Sequence, residues 1–134
     1  MKRPAAPLVV RATEGQTTHL MARLVTKDDV AVIQSDITGT SGQEITRKVY
    51  DLDSSTPTTA TDTDTLDKTA KIFDSLQTSA EWTADSTGYN FLDSVATAKL
   101  PTSGPWRVVY SMVVTGEETL TWDYLVDMSD VYGS

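Results

Sequence analysis

The most regular pattern of apolar and polar positions lies toward the end of the chain, where Leu120, Trp122, Tyr124 and Val126 alternate with Thr121 and Asp123. A two-residue period puts the first set on one face, as in a strand with a single buried side. The run before it, WRVVYSMVVT from Trp106 to Thr115, is apolar at both parities, so it reads as a central strand covered on both faces. Gly116-Glu117 separates the two and makes them arms of a β-hairpin. The same period recurs in Thr17 to Thr26, with Leu20, Ala22 and Leu24 opposed to His19, Met21, Arg23 and Val25, before Lys27-Asp28-Asp29 ends the run as a turn. It recurs again in Glu44 to Leu52, where Ile45, Arg47 and Val49 alternate with Thr46, Lys48 and Tyr50, the aliphatic members facing inward. In Gly88 to Val95, Tyr89, Phe91 and Asp93 alternate with Asn90, Leu92 and Ser94.

Between these runs the signals are weaker. Val30 to Ile33 suits a short extended piece, with one helical turn near Ser35 and a loop through Gly39 and Gly42. Asp53 to Thr65, DSSTPTTATDTDT, has the composition of an exposed loop or of an edge hairpin with a short strand around Thr58 to Ala60. Lys68 to Leu76 spaces Ile72, Phe73 and Leu76 as a short helix would. The segment Phe73 to Phe91 then acts as a crossover, its turn cluster Asp85-Ser86-Thr87-Gly88 delivering Trp82, Tyr89 and Phe91 to the core. Trp106, Tyr110 and Trp122 are the remaining aromatic anchors, Leu100 to Pro105 is a turn, and the tail Ser129 to Ser134 is loosely held. Together these predict an all-β fold, an immunoglobulin-like or related antiparallel β-sandwich with a short helical crossover. One domain spans 17–134, and an extended N-terminal arm spans 1–16, kept out of regular structure by Pro4 and Pro7 and ordering when it meets a partner.

Composition narrows the function more than the fold. At 134 residues the chain makes one domain with a real core. A net charge of -8 repels the phosphates of nucleic acid, so no nucleic-acid partner is expected. MKRPAAPLVV is too short in apolar residues for a signal peptide or a span, so a soluble chain without a membrane partner is expected. There is no cysteine, which removes disulfides and thiolate chemistry. His19 is the single histidine and no GxSxG elbow accompanies it, so a surface role is expected rather than a triad. The clusters Asp51/Asp53 and Asp62/Asp64/Asp67 bring carboxylates together, but a calcium loop starting at Asp62 would need Gly and Glu where Asp67 and Phe73 stand. Glu81, Glu117 and Glu118 have no spacing that singles out an acid and a base for glycoside hydrolysis. Neither a P-loop nor GxGxxG occurs, so no cofactor and no catalysis are expected. The alternative from another class is a carbohydrate-binding module that stacks sugars on Trp82, Trp106 or Trp122.

Four segments carry a resemblance: HLMARLVT from His19, ITRKVYDLDSSTPTT from Ile45, IFDSLQTSAEWTADSTGYNF from Ile72, and PWRVVYSMVV from Pro105. In these the chain resembles small structural proteins of tailed-phage virions, over about Thr17 to Val126. The resemblance implies a β-sandwich used as a head decoration (cement) protein, or as a small tail or baseplate component, without catalytic residues. Its implied partners are the major capsid protein or other virion proteins, with a homo-oligomer as a further possibility, and its implied place is the capsid surface after synthesis in the host cytoplasm. The contacts expected on this reading are Lys2, Arg3, Pro4, Pro7 and Arg11 in the arm and Asp53, Thr58 and Asp62 in the Thr/Asp loop. The chain departs from a complete tail fibre in having neither a coiled coil nor a receptor-binding extension.

Overall fold

A computed structural model describes residues 9–116 and 119–129. The strands in chain order are β1 (Val9–Thr13), β2 (Thr18–Ala22), β3 (Ile37–Thr38), β4 (Ile45–Asp51), β5 (Asp62–Leu66), β6 (Ile72–Gln77), β7 (Tyr89–Val95), β8 (Gly104–Val114) and β9 (Thr119–Ser129). A single helical turn, α1 (Lys68–Lys71), precedes β6. Strands β1-β9-β8-β4-β5 form one sheet in that order, with the short β3 also on β8, and β2-β7-β6 form the other. Every pairing is antiparallel except that of β1 with β9. The two sheets face each other as an all-β sandwich. Its strands β2, β7 and β6 stand where B, E and D stand in an immunoglobulin domain, and β9, β8, β4 and β5 where G, F, C and C′ stand in the variable type.

Alternation explains which side chains meet between the sheets. Leu20, Ala22 and Leu24 from β2 and its extension, Ile45 and Val49 from β4, and Leu120, Trp122, Tyr124 and Val126 from β9 are all buried, as their spacing requires. Phe91, Tyr110 and Trp122 form the centre, with ring centroids 4.9 to 5.5 Å apart. Such pairs add about 0.5–1.5 kcal/mol each beyond the area they bury. The hairpin of β8 and β9 holds an unbroken register from Gly104↔Met128 to Val113↔Thr119, and β8 is the middle strand of its sheet, but only one of its faces is covered: Trp106, Val108, Tyr110, Met112 and Val114 are buried, while Arg107 and Val113 on the other face are exposed. The helical turn expected near Ser35 is present at Gln34–Asp36.

Four further expectations need correction. The arm is shorter than 1–16, because Val9 to Thr13 add to the large sheet beside β9 and bring Val10 and Ala12 onto the core. The edge strand of the Thr/Asp segment lies at Asp62–Leu66, paired with β4, and Thr58 to Ala60 are loop. The helical crossover is one turn capped by Asp67, whose Oδ1 accepts from Thr69 N at 2.9 Å. Ile72, Phe73 and Leu76 belong to β6, which pairs with the edge of β7 at its two ends, Ile72↔Phe91 and Gln77↔Tyr89. Finally, Trp82 and Tyr89 are buried but not in the main core. They pack with Met21, and with Phe73 and Leu92, in a second cluster on the outer side of the small sheet, while Phe91 alone of the three enters the space between the sheets. The register of β6 against β7 is interrupted between Ile72 and Gln77, and Gly88 sits where the interruption closes, with φ of 108° and no room for a Cβ beside Gln77 O. Asn90 makes the matching repair on the other edge of β7. Its buried amide accepts from Leu24 N and donates to the carbonyls of Leu24 and Val32, standing in for backbone.

Candidate functional site

The polar groups of the interior converge on Asp93, on β7. Its Oδ2 accepts from Arg47 Nη1 on β4 at 2.8 Å and from the Tyr110 hydroxyl on β8 at 2.6 Å, and its Oδ1 faces Lys71 Nζ at 2.8 Å. Arg47 continues outward through Nη2 to Asp64 Oδ2 at 2.8 Å, and Lys99 closes the chain on Asp62 and Asp64 at 3.1 and 3.4 Å. Three cations thus meet three carboxylates, with Asp93 fully buried at one end and the Lys99 end half-exposed. Burial alone would raise the Asp93 pKa, but Lys71, Tyr110 and Arg47 outweigh it and hold the carboxyl below its ordinary range. Burial works against the Arg47 charge too, and the bond to Asp93, the Asp93 charge and the bond to Asp64 together more than restore it. The Tyr110 hydroxyl is pushed well up, first by burial and then by the Asp93 charge. A carboxylate kept ionised and a phenol kept protonated are poor proton carriers at neutral pH. The arrangement ties β4 and β8 of one sheet to β7 of the other, and Tyr124 adds a second tie by donating to Met21 O at 2.6 Å.

Shallow clefts lie along the rim formed by the described residues. One of about 350 Å³ lies between Asp62, Lys99, Pro101 and Trp106. Two adjoining ones, of about 190 and 240 Å³, share Val10, His19 and Glu81 at the side where β1 passes β2. His19 is exposed there and its Nδ1 lies 2.8 Å from Ser94 Oγ, its cross-strand partner on β7. A hydroxyl beside an imidazole is the start of a nucleophile pair, but this one stands in open solvent, where charge developing on a substrate would be screened by water. Among the described residues no three His, Asp or Glu side chains gather as metal ligands. Asp62 and Asp64 face the Lys99 ammonium, and Asp67 caps the helical turn.

The residues expected to bind a partner are scattered. Lys2, Arg3, Pro4 and Pro7, with Glu117, Glu118 and 130–134 of the tail, lie outside the described residues. Arg11 is exposed on β1, at the sheet edge. Asp53 and Thr58 are exposed in the loop after β4, where the Asp53 carboxylate rests against Gly104. Asp62 instead points inward from β5 and is ion-paired with Lys99. All six anchors, Trp82, Tyr89, Phe91, Trp106, Tyr110 and Trp122, are buried. Sequence reasoning did not bring Arg47, Lys71 and Asp93 together. The one signal available was a charged residue at an inward parity in two separate strands. Comparisons with family models, with curated proteins and with solved structures find no match to this chain.

Proposed function

We propose that this protein is a noncatalytic structural subunit of a phage virion, a head decoration protein that binds the outside of the assembled capsid. Its resemblance to virion proteins supports this reading. The observation that carries it within the structure is the use made of charge: among the described residues the inward-facing Arg47, Asp64, Asp93 and Asp62, with Lys71 and Lys99, pair with one another across the two sheets and serve the fold. Such a subunit acts by linkage, stabilising the shell by its preference for the assembled lattice over free capsid subunits. The contacts assigned to it are the N-terminal residues with Lys2, Arg3, Pro4 and Pro7, continuing into exposed Arg11, and the loop carrying Asp53 and Thr58. A small tail or baseplate role uses the same surfaces on a different particle. The sugar-binding alternative loses its platform, because Trp82, Trp106 and Trp122 are only 6, 3 and 5% exposed.

Cosedimentation with capsids that lack this protein tests the proposal, with tail particles as a parallel sample. The full chain is expected to pellet with capsids. A truncation must stop at residue 8, since Val9 begins a core-packed strand. Failure of the full chain to bind capsids rejects the decoration role, binding to tails alone moves the protein there, and unchanged binding by the truncated chain removes the N-terminal residues from the contact.

A further inference from the structure

The outer face of the large sheet differs from the rest of the surface in two ways. Of the large hydrophobic residues left exposed, three lie on it: Val9 on β1 at 54%, Val113 on β8 at 48% and Leu125 on β9 at 38%. Registers place Tyr50, Arg107, Leu125 and Val9 in one row across β4, β8, β9 and β1. A second row, Thr65, Thr46, Ser111 and Thr121, is made of short hydroxyl side chains. The second difference is charge. The outward positions of these strands hold Arg11, Lys48 and Arg107 against Asp123 and Asp127, which is 3 - 2 = +1, on a chain of net charge -8. The rest of the chain therefore carries -8 - 1 = -9. A contact between copies through this face brings together less like charge than the average of the chain would.

We infer that this face is where two copies of the chain associate, sheet against sheet. Five strands about 4.8 Å apart, of 5, 11, 11, 7 and 5 residues at about 3.3 Å each, give a face of roughly 600 Å². That is about three quarters of the roughly 800 Å² per partner of a standard stable interface. A two-fold axis running along β8, the middle strand, passes over Arg107, Val109, Ser111 and Val113. It sets Lys48 of one copy against Asp123 of the other, because the two flank Val109 on opposite sides in the same row. By the same symmetry Tyr50 meets Leu125, and Thr46 meets Thr121. Arg107, on the axis and so opposite its own counterpart, has its charge engaged within its own copy, on Asp123 at 3.1 Å and over the Tyr50 ring.

Sedimentation equilibrium of the full chain, from about 1 to 500 µM, reads this directly. A dimer is expected in that range, and Leu125→Asp, which replaces one of the face's exposed apolar side chains by a charge without touching the core, is expected to weaken it at least tenfold. Near-UV circular dichroism checks that the variant keeps its packing. Leu76→Asp, at the exposed Leu76 on β6 of the small sheet, should leave association unchanged. A chain monomeric throughout, a Leu125→Asp variant that dimerises as the parent does, or an equal loss in Leu76→Asp would overturn the assignment.

Discussion

Replacing Asp93 with Asn keeps the shape of the side chain and removes the charge on which Arg47, Lys71 and Tyr110 converge. Lys71, 23% exposed, can swing to water, whereas the Arg47 side chain is 7% exposed and would retain only Asp64 at the rim. Leaving one member of a buried pair uncompensated costs about 3–5 kcal/mol. For a domain of this size that lowers the melting temperature by about 10–20 °C. Urea unfolding followed by tryptophan fluorescence measures the loss, since all three indoles are shielded in the fold. Arg47→Met combined with Asp93→Leu should recover part of it, less about 1–3 kcal/mol for the buried Tyr110 hydroxyl left without its acceptor. The double variant leaves no stranded charge between the sheets, and it removes an Arg47 Nε that has no partner among the described residues. A single Asn substitution costing under about 1 kcal/mol, or a double variant as unstable as the sum of the two singles, would refute the claim that these ionic contacts hold the sheets together.

The loop after β6 should respond to acid at a different point from ordinary carboxylates. Asp85, held at about 2 by the Trp82 indole first and then by Arg23, stays ionised where an unfolded aspartate, near about 3.9, protonates. Because its folded pKa is depressed, the stabilisation it gives is complete above about pH 4 and is lost as pH falls toward about 2. An NMR titration of its carboxyl carbon should show a midpoint near 2, and a midpoint near about 3.9 in folded protein would contradict the clamp. Gly88→Ala should cost clearly more than Gly15→Ala. Both residues have positive φ, worth roughly 1–2 kcal/mol to any other residue, but a Cβ at Gly88 would lie 2.3 Å from Gln77 O and one at Gly15 meets nothing within 4 Å. Equal losses in urea unfolding would mean that the close approach of β6 to Gly88 is absent.

Legibility from sequence followed the availability of an apolar residue to set the phase. The faces of β2 and β9 and the hairpin of β8 and β9 were readable because Leu, Val and aromatic residues mark alternate positions there. In DTDTL no apolar side chain marks the inward parity until Leu66, so the strand was expected four residues too early. Its two aspartates face inward because Arg47 and Lys99 await them. The spacing of Ile72, Phe73 and Leu76 suited a helix equally well, and only the presence of β7 alongside decides for a strand. Asp93 and Arg47, 46 residues apart, each fall at an inward parity by simple counting, yet nothing local conveys that they meet. Tyr89 shares a parity with Phe91 but turns to Trp82 and Met21, because the interrupted register beside Gly88 breaks the two-residue period there.

The parallel pairing of β1 with β9 has a consequence for the order of events in synthesis. Val9 waits for Leu125, and β9 lies between β1 and β8 rather than at a margin, so the large sheet has a gap until the last described strand has been made. At roughly 5–20 residues per second, that interval lasts on the order of 5–25 s. During it, Val10 and Ala12 lack the core they finally cover. A chain that stops short of Thr119 leaves β8 with an open edge and β1 with nothing to pair with. The large sheet therefore closes only on a chain translated through Ser129.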